Sequence, residues 1–312
     1  MLCHGMAAHI EPADARETRL VALSQMPFEV VSARARGVAQ SWGSLLDILR
    51  RRELLRLLVR RDIRARYKDS ALGFVWSLLK PLTQFAIYFF VVGQVLSASR
   101  GIPDFAVFVF SGLTIYGLFS ETVTGATSSI ISNSGLIKKV SLPREIFPLA
   151  SVGSGLFSFF VQLIVLILAS LLLGGLNLGW HLLYAIPAVL VIVIYATAIG
   201  LLLSAVNVYL RDVQYLVELV MMVLLWASPI VYAWSMVRNL VGPGLLLDVY
   251  TDNPITLSVL AFQKAFRAVG LGAVYPDMLL LRLVITGLIG IVFIVLAQRV
   301  FARLEGNFAQ EL

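Results

Sequence analysis

Six long apolar stretches constrain this chain more than any other feature of its sequence. Each is close to the roughly twenty residues that an α-helix needs to cross a bilayer. In chain order they cover Leu72–Leu96, Phe105–Ile131, Ile146–Leu173, Leu182–Val208, Leu216–Trp234 and Leu279–Phe301. Hydrophobic residues make up 59% of the chain and charged residues only 14%, whereas a soluble domain carries about a quarter charged residues. We therefore predict an all-α integral membrane protein with six transmembrane helices.

Two polar segments precede the first apolar stretch. Residues 1–40 mix charged and small residues, which predicts a disordered cytoplasmic tail. Residues 41–70 predict an amphipathic helix at the cytoplasmic interface, with arginines at the lipid phosphates and leucines among the acyl chains. One side of this helix is formed by Leu54, Leu55, Leu58 and Val59. Residues 71–312 then form the six-span domain, which ends in a short cytoplasmic tail.

Lysine and arginine residues predict the orientation of the spans. The net charge is +7, and most of the excess lies between Arg50 and Lys68. The loops on the side of this block carry more basic residues than the opposite loops, so the positive-inside rule puts both termini in the cytoplasm. A basic block beside a span is typical of an anchor on anionic lipid, and we expect no nucleic-acid partner.

The last outer loop, Ser235–Met278, has helical character of its own. Apolar residues recur at steps of three and four after Pro254, which predicts a short amphipathic helix that ends at Gly270. Prolines divide the rest of the loop into pieces. Short extracellular helices before the last span would suit either a lid over a pathway or a connector on the membrane surface.

The sequence lacks most motifs that indicate a catalytic, metal-binding or phosphate-binding site. It has no Gly-x-x-x-x-Gly-Lys-Ser/Thr phosphate loop, its three histidines lack the spacing of metal ligands, and it has no nucleophile elbow. We therefore predict that the chain is not an enzyme and binds no metal or cofactor itself. If the function requires energy, a partner must supply it.

Two acidic residues lie within the apolar stretches, where ionisable groups are rare and often functional. Glu121 is late in the second stretch and Glu218 is early in the fifth, so opposite chain directions bring both into the cytoplasmic leaflet. They either pair with nearby bases or serines, or help to shape the entry to a pathway.

Aromatic residues recur in three of the predicted spans. Their rings could stack on sugar faces along a glycan channel, although aromatic residues also concentrate at membrane interfaces and in cores. The candidate channel residues are Phe85, Tyr88, Phe89, Tyr116, Phe119 and Trp226.

The loop between the second and third spans, Ser132–Pro148, reads SNSGLIKKVSLPREIFP. Turn-forming residues precede a short basic segment, and Pro143 then restarts a helix. Such a loop is either a short cytoplasmic helix that pushes on two spans as a lever or a polar turn with positive-inside lysines.

Three segments carry a family resemblance. Arg64–Leu82, RARYKDSALGFVWSLLKPL, resembles the start of the first span in permeases of type-2 ABC transporters that export polysaccharides, including the Wzm-type permeases for O-antigen and relatives for teichoic acid and capsule. The loop LIKKVSLPREIFP resembles the first cytoplasmic coupling region of that family. Residues 207–212, NVYLRD, resemble the second, and the resemblance covers the chain from about Trp42 to its end.

The resemblance implies a half-transporter in the bacterial inner membrane. Two copies would pair, and two separate ATPase subunits would dock on the cytoplasmic loops and hydrolyse ATP. The cargo would be a glycan on a polyprenyl diphosphate, such as O-antigen or cell-wall galactan. The ATPase-coupling residues would be Ile137, Lys138, Lys139, Ser141, Pro143, Arg144, Glu145, Arg211 and Asp212. The residues for the lipid diphosphate would be Arg60, Arg61, Arg64, Arg66 and Lys68.

Three alternatives stay open. A permease of an ABC drug or lipid exporter would share the six-span plan. A stand-alone channel or ion-coupled transporter would show internal repeats or charges at the midplane, and it would act without an ATP-binding subunit. A glycan-assembly enzyme would need paired acidic residues in a loop, and it would turn over sugar nucleotides.

Overall fold

Every regular element in the described part of the chain is a helix. The computed structural model describes residues 52–67, 75–95, 104–139, 142–172, 179–266 and 274–312, all within one unit, residues 36–312. The predicted tail, residues 1–40, lies outside these ranges. In chain order the α-helices are α1 (Arg52–Tyr67), α2 (Val75–Ile87), α3 (Phe105–Ser132), α4 (Ser134–Ile137), α5 (Ile146–Leu172), α6 (Ala185–Tyr209), α7 (Val213–Ala227), α8 (Trp234–Val241), α9 (Leu245–Thr251), α10 (Pro254–Phe266), α11 (Leu279–Leu304) and α12 (Phe308–Glu311).

Four of these helices are long and apolar enough to cross a membrane: α3, α5, α6 and α11. A 3-10 turn, Trp180–Tyr184, lengthens α6 at its start. The bounds of these helices agree with four of the six predicted stretches to within a few residues. The agreement follows from the sequence, because each run of apolar residues is bordered by polar or turn-forming residues. The prediction of a helical integral membrane protein is confirmed.

Helix α3 forms the centre of the bundle and packs against α5, α6 and α10. It has the lowest mean hydropathy of the four long helices, 1.5 against 2.5 or more, and the largest buried share, 83%. Protein rather than lipid surrounds it, and this explains how it carries several polar side chains. Ser111, Thr114 and Thr127 each return their hydroxyl to a backbone carbonyl one turn earlier, so no polar atom of these three faces a lipid chain unpaired.

Helix α2 occupies the first predicted stretch. It contains Pro81 and continues without a break as a π-helix, Tyr88–Val95. A proline within a helix removes one backbone hydrogen bond, and a π-helical stretch widens the turn. The large apolar side chains of this element, including Trp76, Ile87 and Phe90, are about half exposed in the single chain.

The fifth predicted stretch ends earlier than the sequence indicated. We expected one span over Leu216–Trp234, but α7 ends at Ala227 after 15 residues. Fifteen residues rise about 22 Å, short of the roughly 30 Å hydrocarbon core. Ser228 is extended, with φ −92° and ψ 147°, because the following Pro229 disfavours the helical conformation at its predecessor. Hydropathy continues across this break, which is why the prediction was wrong there.

Helix α10 corrects a second expectation. The helix after Pro254 forms, but it is not a connector lying on the surface, because nearly all of its 13 residues are buried. It packs between α3, α6 and the Trp180–Tyr184 turn. The side-chain amide of Gln263 donates to the carbonyl of Pro229 at 2.9 Å, which satisfies a backbone acceptor of the non-helical segment that follows α7. The predicted end of this helix, Gly270, lies outside the described residues.

Helix α1 lies across the start of α5. The four apolar residues predicted to share one side do so, but protein covers them rather than acyl chains alone. Leu58 is 5% exposed and packs in a cluster with Ile146, Phe147 and Ala150. The approach is close, since a Cβ added at Gly153 would lie 2.6 Å from a methyl carbon of Val59. A glycine at this position therefore lets α1 dock on the bundle.

Candidate functional site

The first predicted coupling loop turns some of its residues outward and others inward. Lys138 and Lys139 are exposed, whereas Ile137, Pro143 and Arg144 are half-buried. Glu145 is 1% exposed. Ser141, a further predicted coupling residue, lies outside the described residues. Among the described residues of this loop, the two lysines are therefore the predicted coupling residues that are exposed to a partner.

Arg144 and Glu145 both contact the C-terminal part of the chain. The Arg144 guanidinium donates to the backbone carbonyl of Glu305 and lies 5.6 Å from the centre of the Phe308 ring. The Glu145 carboxylate accepts a hydrogen bond from the side-chain amide of Gln298 at 2.9 Å. A buried carboxylate needs such a donor, because burial without one is costly.

The second predicted coupling loop follows α6. Arg211 and Asp212 are exposed, as a contact with a partner requires. Behind them Asn207 is fully buried and joins three helices. Its amide donates to the carbonyl of Thr127 at 3.0 Å, and its side-chain oxygen accepts from the backbone N–H of Gln214 at 3.2 Å. Asn207 thus fixes the ends of α6 and α7 against α3.

The basic residues of α1 fall into two groups. Arg60 and Arg64 are exposed, and neither forms an ion pair within the described residues. Arg61 donates to Asp62 at 2.7 Å and to the side-chain oxygen of Asn133 at 2.6 Å, so it ties α1 to the end of α3. Lys68 lies outside the described residues.

Arg66 reaches into the bundle. It pairs with Glu121 and donates to the Ser158 hydroxyl at 3.0 Å, and that hydroxyl donates to Glu121 at 2.8 Å. The predicted pairing of Glu121 with a base and a serine is therefore confirmed, and its partner is one of the arginines predicted to bind phosphate. Glu218, the other acid in the apolar stretches, lies on an exposed side of α7.

The aromatic residues that were predicted to line a channel occupy different environments. Phe85 stacks on Phe89 at 6.1 Å and meets Phe110 edge-on at 5.1 Å, and Tyr88 is half-buried beside them. Trp226 is 60% exposed on α7. The channel role of these residues stays a prediction.

Tyr116 and Phe119 lie in the core of the bundle instead. Tyr116 donates its hydroxyl to the carbonyl of Met221, which holds α7 against α3. Phe119 is 1% exposed and forms part of the wall of an apolar cavity of about 630 Å³. Among the residues that line the cavity are Tyr195, Leu216, Met221 and Phe293, and Asp252 and Asn253 supply polar groups.

The short helices after α7 form a hairpin that is bonded to α11. Trp234 donates its indole N–H to the Thr251 hydroxyl at 3.0 Å. Arg282 of α11 reaches Asp252 at 2.6 Å and Asp248 at 3.3 Å. The Tyr250 hydroxyl lies 3.2 Å from that of Tyr232, and burial raises the pKa of Tyr250. The hairpin is therefore held at its own base and at α11, whichever side of the membrane it faces.

Sequence reasoning missed four residues that organise this site: Asn207, Tyr209, Gln298 and Phe308. Asn207 and Tyr209 stood within the NVYLRD segment, and Phe308 within the predicted cytoplasmic tail. None of them was singled out, because a lone amide or aromatic residue in an apolar sequence carries no pattern. Their importance depends on residues far away in the chain.

Comparisons with known proteins agree with this architecture. Residues 53–267 match the model of the ABC-2 type transporter family. The O-antigen export system permease protein RfbA of Klebsiella pneumoniae is 29% identical over 262 residues, which cover 83% of this chain and 95% of that protein. The protein of the same name from Myxococcus xanthus is 27% identical over 266 residues, covering 85% and 98%.

A more distant relative is named for a different polysaccharide. The polysialic acid transport protein KpsM of Escherichia coli is 24% identical over 228 residues, or 64% of this chain and 84% of that protein. The family match spans more than half of the sequence, and the helices it covers include α1, the buried α3 and the inserted α10. The protein therefore belongs to the ABC-2 type transporter family.

Proposed function

We propose that this chain is the membrane-spanning permease subunit of an ATP-driven exporter of polysaccharide. The observation that carries this function is the match along nearly the full length of two O-antigen export permeases. The fold is compatible with it, because a helical bundle with exposed charged loops at the ends of α3 and α6 can receive a partner there. The chain supplies the path, and a separate subunit supplies ATP hydrolysis with its own Mg²⁺.

In this proposal the chain crosses the membrane six times, and both termini lie in the cytoplasm. Helix α2 with its π-helical continuation is the first crossing. The fifth is divided between α7, which is too short alone, and the buried α10. A divided crossing is tolerated where protein surrounds the break, and the bond from Gln263 to Pro229 supports that arrangement.

The partners in the proposal are a second copy of the chain and two ATPase subunits. The outer face of each coupling loop would touch the ATPase through Lys138, Lys139, Arg211 and Asp212, all of which are exposed. Ile137, Pro143, Arg144 and Glu145 would act from behind this face. The half-exposed apolar side chains of α2 and α7 leave room for a second copy, because lipid and a partner helix are equally apolar neighbours.

The proposed cargo is a glycan on a polyprenyl diphosphate that enters from the cytoplasmic leaflet. Guanidinium groups bind phosphate oxygens in a bidentate manner. Arg60 and Arg64 are exposed on α1 and are available for this contact, whereas Arg61 and Arg66 already bind groups of the protein. We therefore assign the diphosphate first to Arg60 and Arg64.

The proposal is tested by purifying the chain with its candidate ATP-binding partner and measuring ATP hydrolysis with and without lipid-linked glycan. We expect a stable complex whose hydrolysis responds to the glycan lipid. A response only to small drugs or phospholipids would indicate the other type of ABC exporter. Solute movement by the chain alone in liposomes would refute the half-transporter.

Paired substitutions test the diphosphate assignment. Arg60→Gln with Arg64→Gln should abolish export and leave membrane insertion intact. Arg52→Gln with Arg56→Gln is the matched control, because these arginines continue the same exposed side of α1 by steps of four residues. If Arg60→Gln with Arg64→Gln retains as much export as the control double variant, the basic block is only an anchor.

A further inference from the structure

The last eight residues of the chain close over the ends of both predicted coupling loops. We call residues 305–312 the C-terminal clasp; they comprise a 3-10 turn, Glu305–Asn307, and the single-turn helix α12. Its central residue, Phe308, is fully buried. A fully buried phenylalanine so near the C-terminus indicates that this segment is docked on the bundle.

The clasp contacts the first loop through Arg144. The guanidinium donates to the Glu305 carbonyl and lies over the Phe308 ring. Ile137, which precedes the loop lysines, packs on the same apolar cluster as Phe308. The end of the first loop is thus attached to the clasp through Arg144, and its start lies against the apolar cluster that includes Phe308.

The clasp contacts the end of α6 in a similar way. The Tyr209 hydroxyl donates to the carbonyl of Leu304 at 2.7 Å, and its ring centre lies 6.0 Å from that of Phe308. Tyr209 is two residues before Arg211 of the second loop. Phe308 also meets Phe301 of α11 edge-on at 5.7 Å.

These contacts supply hydrogen-bond donors to backbone carbonyls at the C-terminal end of α11. The donors are side chains from two different loops. The last carbonyls of a helix have no partner within the helix, and basic side chains are favourable there. The carbonyl of Leu304 is bound by Tyr209 and that of Glu305 by Arg144. A displacement of either loop away from the other must therefore break a bond at this helix end.

We infer that the C-terminal clasp joins the two coupling loops and α11 into one rigid unit, with Arg144, Tyr209 and Phe308 as its positioning residues. The functional part of this inference rests on the proposed function, since it takes the loops to be where an ATPase subunit pushes. With the clasp in place, a push on either loop moves three membrane helices together. Without it, the loops move separately and ATP hydrolysis is no longer converted into export.

The mechanical part of the inference is tested on the chain alone. Spin labels on Lys139→Cys and Arg211→Cys, both exposed positions, report the distance between the loops, with Cys3→Ser removing the one native cysteine. Labelled chains are diluted with unlabelled chains so that only distances within one copy are measured. We expect a narrow distance distribution in the parent, and a broad one after Phe308→Ala or Arg144→Gln.

Two further variants control the experiment, and Arg144→Gln guards against a folding failure. Tyr209→Phe removes only the hydroxyl and should broaden the distribution less than Phe308→Ala. Gln310→Ala, at an exposed position of the clasp, should leave the distribution narrow. Arg144→Gln leaves no cavity, so it keeps the test valid if Phe308→Ala does not fold. Narrow distributions in both Phe308→Ala and Arg144→Gln would overturn the inference.

The functional part is tested in the complex with the ATPase. Phe308→Ala should still bind the ATPase and hydrolyse ATP, but export per ATP should fall by about tenfold, which corresponds to about 1.4 kcal/mol. Unchanged export per ATP with a broadened distance distribution would overturn the coupling role. If the parent chain binds no ATPase, the proposed function fails, whereas the distance measurement still decides whether the clasp holds the loops.

Discussion

Replacing Gly200 with alanine should force α3 and α6 apart. Gly200 is buried in the middle of α6, and a Cβ added there would lie 2.7 Å from the Cβ of Ala126 on α3. Carbon atoms in contact are about 3.5–4.0 Å apart, so the two helices must separate by about 1 Å. Ala126 cannot relieve the contact, because a methyl group has no alternative rotamer.

The cost of this contact follows from a comparison with a second glycine. Adding a methylene to a well-packed core typically costs about 1–3 kcal/mol, and alanine offsets part of this through its higher helix propensity, by up to about 1 kcal/mol. Gly287 of α11 is the matched control, because its added Cβ would lie at an ordinary 3.6 Å from a methyl carbon of Val191. Both variants gain the same propensity, so the free energy of unfolding should differ between them by about 1–3 kcal/mol.

The assay is thermal denaturation in detergent, followed by the fraction that still elutes as a monodisperse peak on size-exclusion chromatography. Gly200→Ala should denature several degrees below Gly287→Ala. Ala126→Gly, introduced into Gly200→Ala, should recover part of the loss, because it removes the other half of the contact. Equal denaturation temperatures of the two single variants, or no recovery in the double variant, would refute the packing argument.

Three other predictions use polar contacts. Arg66→Glu and Glu121→Arg should each lower the yield of folded protein, and the double exchange should restore it, as measured by size-exclusion chromatography; failure to restore would mean that the pair does not tie α1 to α3. Asn207→Leu should lower the free energy of unfolding by about 1–3 kcal/mol, since it leaves the backbone N–H of Gln214 without its partner; an unchanged denaturation curve would contradict this. The coupling between Arg282 and Asp252 in a double-mutant cycle should be about 1 kcal/mol or less, because the pair is partly exposed; a much larger value would mean that it is shielded.

Helix positions were predictable where the signal was local. The stretches Phe105–Ile131 and Ile146–Leu173 differ from α3 and α5 by one residue at their ends. The break at Ser228 was not predicted, because apolar residues continue on both sides of it. A buried backbone group in a non-helical segment needs a partner from elsewhere in the chain. Here Gln263, 34 residues further along the chain, supplies one for the carbonyl of Pro229.

The candidate site was predictable as residue types but not as contacts. The sequence indicated that Glu121 needs a base or a serine, because an isolated carboxylate in a membrane is costly. It did not indicate Arg66, which is 55 residues away. Arg144 and Glu145 were predicted as ATPase-coupling residues, and the sequence did not indicate that they bind Glu305, Phe308 and Gln298 of the same chain.

Composition and periodicity were enough to predict that this protein lies in a membrane as a set of helices, and which side of α1 is apolar. Both signals act over a few turns of helix. Contacts between distant residues were needed to show that α3 is central, that α10 is inserted rather than lying on a surface, and that the C-terminal residues contact the ends of both predicted coupling loops. Each of these depends on which distant groups satisfy a buried polar atom or fill the space beside a glycine, and a pattern within one helix does not contain that information.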